Sequence, residues 1–562
     1  MASTEGVHEI CNRYVDDFAA AHPVAATEFG ISGYEDQLTD YSPEGHAARA
    51  ALAKRYLREI DQVEPTDASE RLAKTVFTER VGIGLEIHEA GLDLGALNVT
   101  DSPVQALRTI FDLMPVDTAD QWEQIGARLA GIPTALDGVR ASLLAAADAD
   151  QAPALRQVSK VAEQAETWAG LHGGSGFFDD LVRGAESADL PESLRTRLRH
   201  GAQVAQEAYA ELAGFLRAEL APRVPTKDAV GAEVYRLWSR NFVGAELDLR
   251  EAYEWGWAEF ARVEREAKDV AERIKPGASL AQAAAALDAD PRYRVQGQRG
   301  LEEWMQRLSD HALESLRGKH FDIPDAVMAL ECKIAPPGGG VGAYYTGPTE
   351  DFSRPGQMWW SVPPSREEFS TWREVSTVYH EGAPGHHLQI ATSVYQAATL
   401  NRFQRMLALT SGHAEGWALY AERLMQDLGF LEDDGNLLGM LDAHLFRAAR
   451  VVVDIGMHLE LEIPAGTGFH EGERWTPELG LEFMLTRTIT DADHVRDEID
   501  RYLGWPGQAP SYKLGERMWL AAREDTRRRM GSAFDLKDFH TRALRLGGMG
   551  LDTLKETLAD LG

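Results

Sequence analysis

The sequence predicts a mainly α protein with one small β-hairpin or sheet, and three observations carry that prediction. Over long segments apolar residues recur at three- and four-residue spacing, the period of a helix with one buried face. Those segments are filled with Ala, Leu, Glu and Arg, residues that cost little to place in a helix. One glycine- and proline-rich stretch, Lys333 to Pro364, breaks the pattern and has strand-like content instead.

Taken in order, the helical segments run from Glu44 to Val63, Leu72 to Ala90, Glu192 to Glu219 and Leu247 to Ala271. The run Ala281 to Ala286 reads as one further packed helix. Loops are expected at Asp148 to Pro153, Pro222 to Pro225, Lys275 to Gly277 and Asp290-Pro291, where proline, glycine and aspartate interrupt the periodicity. Within the irregular stretch, Ala343 to Thr346 and Gln357 to Val362 carry the aromatic and β-branched residues that predict a hairpin or small sheet. The chain reads as a single unit over 1–562, with approximate halves: a helical lobe at 1–230 and a lobe at 231–562 that carries the chemistry.

Charge and cysteine content narrow the function classes. The 57 basic and 89 acidic residues leave a formal charge of −32, which repels nucleic acid and anionic membrane. With only Cys11 and Cys332, a disulfide framework or a cysteine-rich zinc site is excluded, so a metal must be held by His, Asp or Glu. Met1 to Tyr14 has no apolar core of signal-peptide length, and no apolar run reaches the roughly 20 residues that span a bilayer. The expectation is a cytoplasmic protein.

Residues 378–389 read VYHEGAPGHHLQ. A His-Glu pair followed closely by further histidines suggests a variant of the zinc helix in which two imidazoles bind metal and the Glu activates water. Here Pro384 stands where the usual HExxH pattern has its second His. On a straight helix His380 and His387 are separated by about 700° and roughly 10.5 Å, so they share a face, while His386 lies about 120° away. Pro384 cannot donate to the carbonyl of His380, and Gly382 and Gly385 loosen both flanks, so a kink or bulge is expected. A bulge absorbing two residues brings His386 to the ligand position. Geometry leaves His386 and His387 both open.

A third ligand is sought in SGHAEGWALYAERLM, Ser411 to Met425. Glu415 and Glu422 are seven apart, on one helical face but about 10 Å apart along the axis, so one ligates. The other either accepts a hydrogen bond from a ligating imidazole or is a solvated charge.

HEGAPGHHLQ, EGWALYAE, RVVVDIGMH (Arg450 to His458), GQAPSYKLG (Gly507 to Gly515) and the early HPVAATEFGISGYED (His22 to Asp36) together resemble the DUF885 family, regarded as zincin-like bacterial metallopeptidases. The likeness runs over nearly the whole chain, and no core motif residue departs from the pattern. It implies a large helical zincin-like fold with a deep cleft between two halves. The His after Pro-Gly favours His386, and the Glu opening EGWA resembles the glutamate ligand of the angiotensin-converting-enzyme type of peptidase, favouring Glu415. The resemblance thus implies Zn²⁺ held by His380, His386 and Glu415, with His387 and Glu422 as alternates.

The expected chemistry is hydrolysis of an amide bond in a short peptide, with Glu381 as general base. Tyr512 and, second, His458 are candidates to stabilise the oxyanion, resting chiefly on the resemblance. Arg450, Arg354 and Lys513 are candidates to bind a substrate carboxylate, as expected for action from the carboxyl end. Gln357 to Val362 could pair with substrate backbone along a sheet edge, and Gly338 to Gly340 could form a flap beside it. Two other readings stand: a metal-dependent amide hydrolase or other reaction on a non-peptide metabolite, and a non-catalytic metal-binding scaffold. Glu381 speaks against the scaffold, since structural zinc needs four protein ligands and no free carboxylate.

Overall fold

Helix accounts for 67% of the computed structural model and strand for 4%, so the chain is mainly α. Residues 6–335, 342–363 and 365–559 are described; the Gly338 to Gly340 run lies outside them. Two compact units are present.

The first comprises 6–70, 81–230 and 497–505. Its core follows from helical periodicity. Along Ala119–Asp148, the residues Trp122, Ile125, Leu129, Ile132, Leu136, Val139 and Leu143 repeat at three- and four-residue intervals, and all are buried. Glu192–Phe215 buries Leu194, Leu198, Ala205, Tyr209 and Leu212 in the same core. Each large aliphatic side chain so buried contributes about 1.5–3 kcal/mol. The helix predicted over Glu192 to Glu219 is present, but its last turn, Leu216–Leu220, widens to π geometry. The fully buried Arg128 places the His22 to Asp36 motif: its guanidinium donates to Thr27 Oγ1 (2.7 Å), the Tyr34 carbonyl (3.0 Å) and the Gln37 carbonyl (3.0 Å).

The second unit comprises 71–80, 231–496 and 506–559. Six of its helices build the site region: α1 (Leu249–Ile274), α2 (Glu374–Glu381), α3 (His386–Tyr395), α4 (Ser411–Asp427), α5 (Asp434–Leu459) and α6 (Ser511–Met530). Capping residues set their starts. Asp248 accepts from the Arg250 and Glu251 amides, Thr410 from the His413 amide, and Asp433 from the Gly435 and Asn436 amides.

Among the described residues the unit also has five short strands. β1 (Arg294–Gln296) pairs antiparallel with β5 (Glu368–Ser370). A second sheet has the order β2 (Leu330–Ile334), β4 (Gly356–Trp360), β3 (Ala343–Thr346). The predicted strand at Ala343 to Thr346 is β3, and the one predicted at Gln357 to Val362 is β4. The expected edge pairing at β4 is corrected: β4 bonds to β2 in parallel and to β3 antiparallel, so both its flanks are occupied.

Helices α4 and α6 cross where two motif glycines meet. A Cβ on Gly416 would sit 2.5 Å from the Cα of Gly515, inside any tolerable contact with backbone. Gly416→Ala is therefore expected to destabilise the protein by about 1–3 kcal/mol through overpacking. Chemical denaturation checks this against Gly84→Ala, whose added Cβ meets nothing within 4 Å and whose midpoint should hold or rise.

Candidate metal centre

The chain between α2 and α3 breaks completely; the expected kink or bulge is a four-residue turn, Gly382 to Gly385. Pro384 has no N–H to continue the ladder. The Gly385 amide bonds back to the Tyr379 carbonyl (3.0 Å) and the His387 amide to the Gly382 carbonyl (3.2 Å). From α4 the Trp417 indole donates to the carbonyls of Pro384 (2.8 Å) and Gly385 (3.2 Å). Side chains are excluded at the two glycines that bound this turn. A Cβ on Gly385 would overlap the His380 carbonyl oxygen, and one on Gly382 would lie 2.7 Å from that of Val378. The break sets the His380 and His386 rings 4.8 Å apart, nearly perpendicular.

Glu415, on α4, faces both rings. His380 Nε2 is 3.1 Å and His386 Nε2 3.6 Å from the same oxygen, Glu415 Oε2. Ligands about 2.0–2.1 Å from a tetrahedral zinc stand about 3.3 Å from one another, and both distances to Glu415 Oε2 are close to that. A second candidate set shares the two imidazoles: ligand atoms of His380, Glu381 and His386 lie within 4.8 Å of one another.

The other nitrogen of His380 is fastened from behind. Nδ1 lies 2.8 Å from Glu422 Oε1, which leaves Nε2 turned towards Glu415. The two carboxylates therefore take opposite sides of one imidazole. Burial opposes a charge on His380, but its bonds to Glu415 and Glu422 outweigh burial and lift its pKa to about 9. Burial likewise works against both carboxylates. His380 and His386 nevertheless hold Glu415 well below the usual range, and Arg447, His380 and His444 do the same for Glu422. This electrostatic demand for positive charge suits a cation. Ser376 Oγ also donates to Glu422.

His387 points elsewhere. Its Nε2 donates to the Val327 carbonyl (2.8 Å), its Nδ1 accepts from Tyr345 OH (2.9 Å), and burial pushes its pKa down to about 4. With both nitrogens engaged it ties α3 to the neighbouring loop and to β3.

The remaining candidates divide. Tyr512 lies on the Glu422 side of the site: Arg450 and Arg447 stand 4.8 and 5.9 Å from its ring centre, and Arg447 Nη1 is 3.5 Å from Glu422 Oε1. Arg450 is buried between Tyr512 and Phe446. His458 is not brought to the centre. It is fully buried beside Tyr235 and Asp454, about 21 Å along α5 from His444, which touches Glu422. Lys513 is fully buried against Glu516, Glu259 (2.8 Å) and His444 (3.2 Å), so it does not face a substrate. Arg354 braces its own loop through the Gly347 carbonyl (2.8 Å) and Gln357 (3.3 Å).

Sequence reasoning missed Ser376, His444, Arg447 and Glu516. A signal existed for two of them. His444, Arg447, Asp454 and His458 fall within about 80° of one another on a helical wheel, a polar stripe along α5, whose buried residues are mostly apolar.

Residues 23–558 match the family described as "Bacterial protein of unknown function (DUF885)". The chain belongs to the DUF885 family. Two solved structures share the fold of this DUF885 protein. One, described as a "putative lipoprotein" from Colwellia psychrerythraea, has a TM-score of 0.84 and 24% identity over 99% of this chain and 98% of that one. Another, described as a "putative lipoprotein of unknown function" from Shewanella oneidensis, has a TM-score of 0.74 and 17% identity over 99% and 100%. No curated protein matches the DUF885 chain. The expectation of a cytoplasmic protein is corrected by these descriptions and does not stand. Among the described residues no helix is long and apolar enough to cross a membrane.

Proposed function

We propose that this protein is a zinc-dependent amide hydrolase acting on short peptides, with His380, His386 and Glu415 holding the metal. The observation that supports this reading is the convergence of both Nε2 atoms on Glu415 Oε2, at 3.1 and 3.6 Å. A bound zinc ion supplies Lewis acidity, lowering the pKa of water towards neutrality and polarising a carbonyl. Glu381 takes the proton from the attacking water and returns it to the leaving amine nitrogen. Its burial, at 7% exposure, keeps bulk water from competing for that proton. In this reading a deep cleft in a helical shell admits short peptides and excludes folded proteins.

The purified protein is expected to carry close to one zinc per chain and to cleave members of a short-peptide library. A chelator should abolish cleavage and added zinc should restore it. Zinc bound without cleavage of any peptide, but with turnover of small non-peptide amides, would move the substrate class. Hydrolysis indifferent to chelation would end the metal reading.

A further inference from the structure

Behind the ligand histidines the structure holds a buried polar chain that the proposed reaction leaves unused. His444, on α5, is fully buried. Its Nδ1 lies 3.2 Å from Lys513 Nζ. An ammonium can only donate, so Nδ1 accepts and the ring proton sits on Nε2. That Nε2 faces Glu422 Oε2 at 3.4 Å, beyond the usual span of a hydrogen bond. It has no hydrogen-bond partner among the described residues, so Glu422 is the acceptor it addresses. Glu422 in turn takes His380 Nδ1 on its other oxygen. Burial, with the charge of Lys513 beside it, keeps His444 neutral, its pKa near 4.

We infer that Lys513 and His444 are positioning residues that hold Glu422, and through it His380, in the one arrangement that leaves His380 Nε2 free for a metal. This rests on the metal reading above and extends it two side chains deeper.

The argument is one of dipole sign. With Lys513 donating to Nδ1, the imidazole of His444 presents its N–H to Glu422, and the contact is attractive. Without Lys513, the proton can sit on Nδ1, where Glu516 Oε1, at 3.8 Å, would draw it. His444 would then present a lone pair to a carboxylate in a low-dielectric interior, where repulsion is strong. Arg447 Nη1, 3.5 Å from the same Oε1 that takes His380 Nδ1, then competes for that oxygen. A carboxylate swung towards Arg447 releases His380 Nδ1, and the imidazole loses its fixed orientation. Groups that orient a ligating imidazole in this way typically change metal affinity or activity about 10- to 100-fold when replaced. Lys513 is itself held by Glu259 and Glu516, so the whole relay sits in the packed interior of α1, α4, α5 and α6.

The test titrates metal-free full-length protein with zinc against a chromophoric chelator, and with cobalt while its visible absorption is read. His444→Phe keeps the ring volume and drops both nitrogens, Lys513→Met drops the cation, and His444→Gln keeps an N–H for Glu422. The first two are expected to weaken zinc binding about 10- to 100-fold and to alter the cobalt band, while His444→Gln stays close to wild type. Circular dichroism and thermal midpoints report folding; should Lys513→Met fail to fold, the two His444 variants decide the question. Folded variants that bind zinc as tightly as wild type, with an unchanged cobalt band, overturn the relay while leaving the metal site standing. A wild-type protein that takes up neither ion brings down the metal reading and the relay together.

Discussion

Glu381→Gln is expected to lower amide hydrolysis by about 10²–10⁴-fold, the usual contribution of a general base, while zinc content stays at the wild-type level. The substitution keeps the volume and one carbonyl oxygen but removes the proton acceptor. It should fold normally, because Glu381 closes α2 and no hydrogen bond within the turn Gly382 to Gly385 depends on its carboxylate. The informative comparison is kcat/KM beside bound zinc on the same sample. Activity lost with zinc retained assigns the base. Zinc lost as well makes Glu381 a ligand, an outcome compatible with its place in the same 4.8 Å cluster as His380 and His386. Full activity in the variant removes Glu381 from the reaction.

What the sequence revealed, and what it withheld, follows from how local each feature is. The helical segments were legible because periodicity and composition agree, and Ala343–Thr346 was legible to the residue because aromatic content there is bounded by glycines. The role of β4 was not. Its central position depends on β2, Leu330–Ile334, arriving in parallel from the start of the irregular stretch, and nothing in Gln357 to Val362 reports a distant partner. Glu415 and Glu422 seemed to compete for one ligand position because they lie two turns apart. One imidazole serves both, sending Nε2 to Glu415 and Nδ1 to Glu422. Reading RVVVDIGMH as the informative part of α5 drew attention to His458, at the wrong end of the helix. The residue that touches Glu422, His444, lies six positions before that motif begins. The cytoplasmic expectation failed for a different reason: it drew a compartment from the absence of a signal near the first residue.

The choice between His386 and His387 was undecidable from helical geometry, because it turns on how the chain breaks at Pro384, and it yields the second large prediction. His386→Ala should weaken zinc binding on the order of 10³-fold, about a third of the roughly 10–16 kcal/mol seen for tightly held zinc. Its fold should survive: Nδ1 of His386 has no hydrogen-bond partner among the described residues, and Glu415, which loses His386 Nε2 at 3.6 Å, keeps His380 Nε2 at 3.1 Å. His387→Ala should behave in the opposite way. It leaves the Val327 carbonyl and the Tyr345 hydroxyl without their imidazole partner, a cost of about 1–3 kcal/mol for each buried group left unsatisfied, while zinc content is unchanged. Zinc titration and thermal unfolding on the two variants give a crossed pattern, metal lost with stability kept against stability lost with metal kept. The reverse pattern would show that His387 turns in to the metal when an ion binds, and would reassign the ligand.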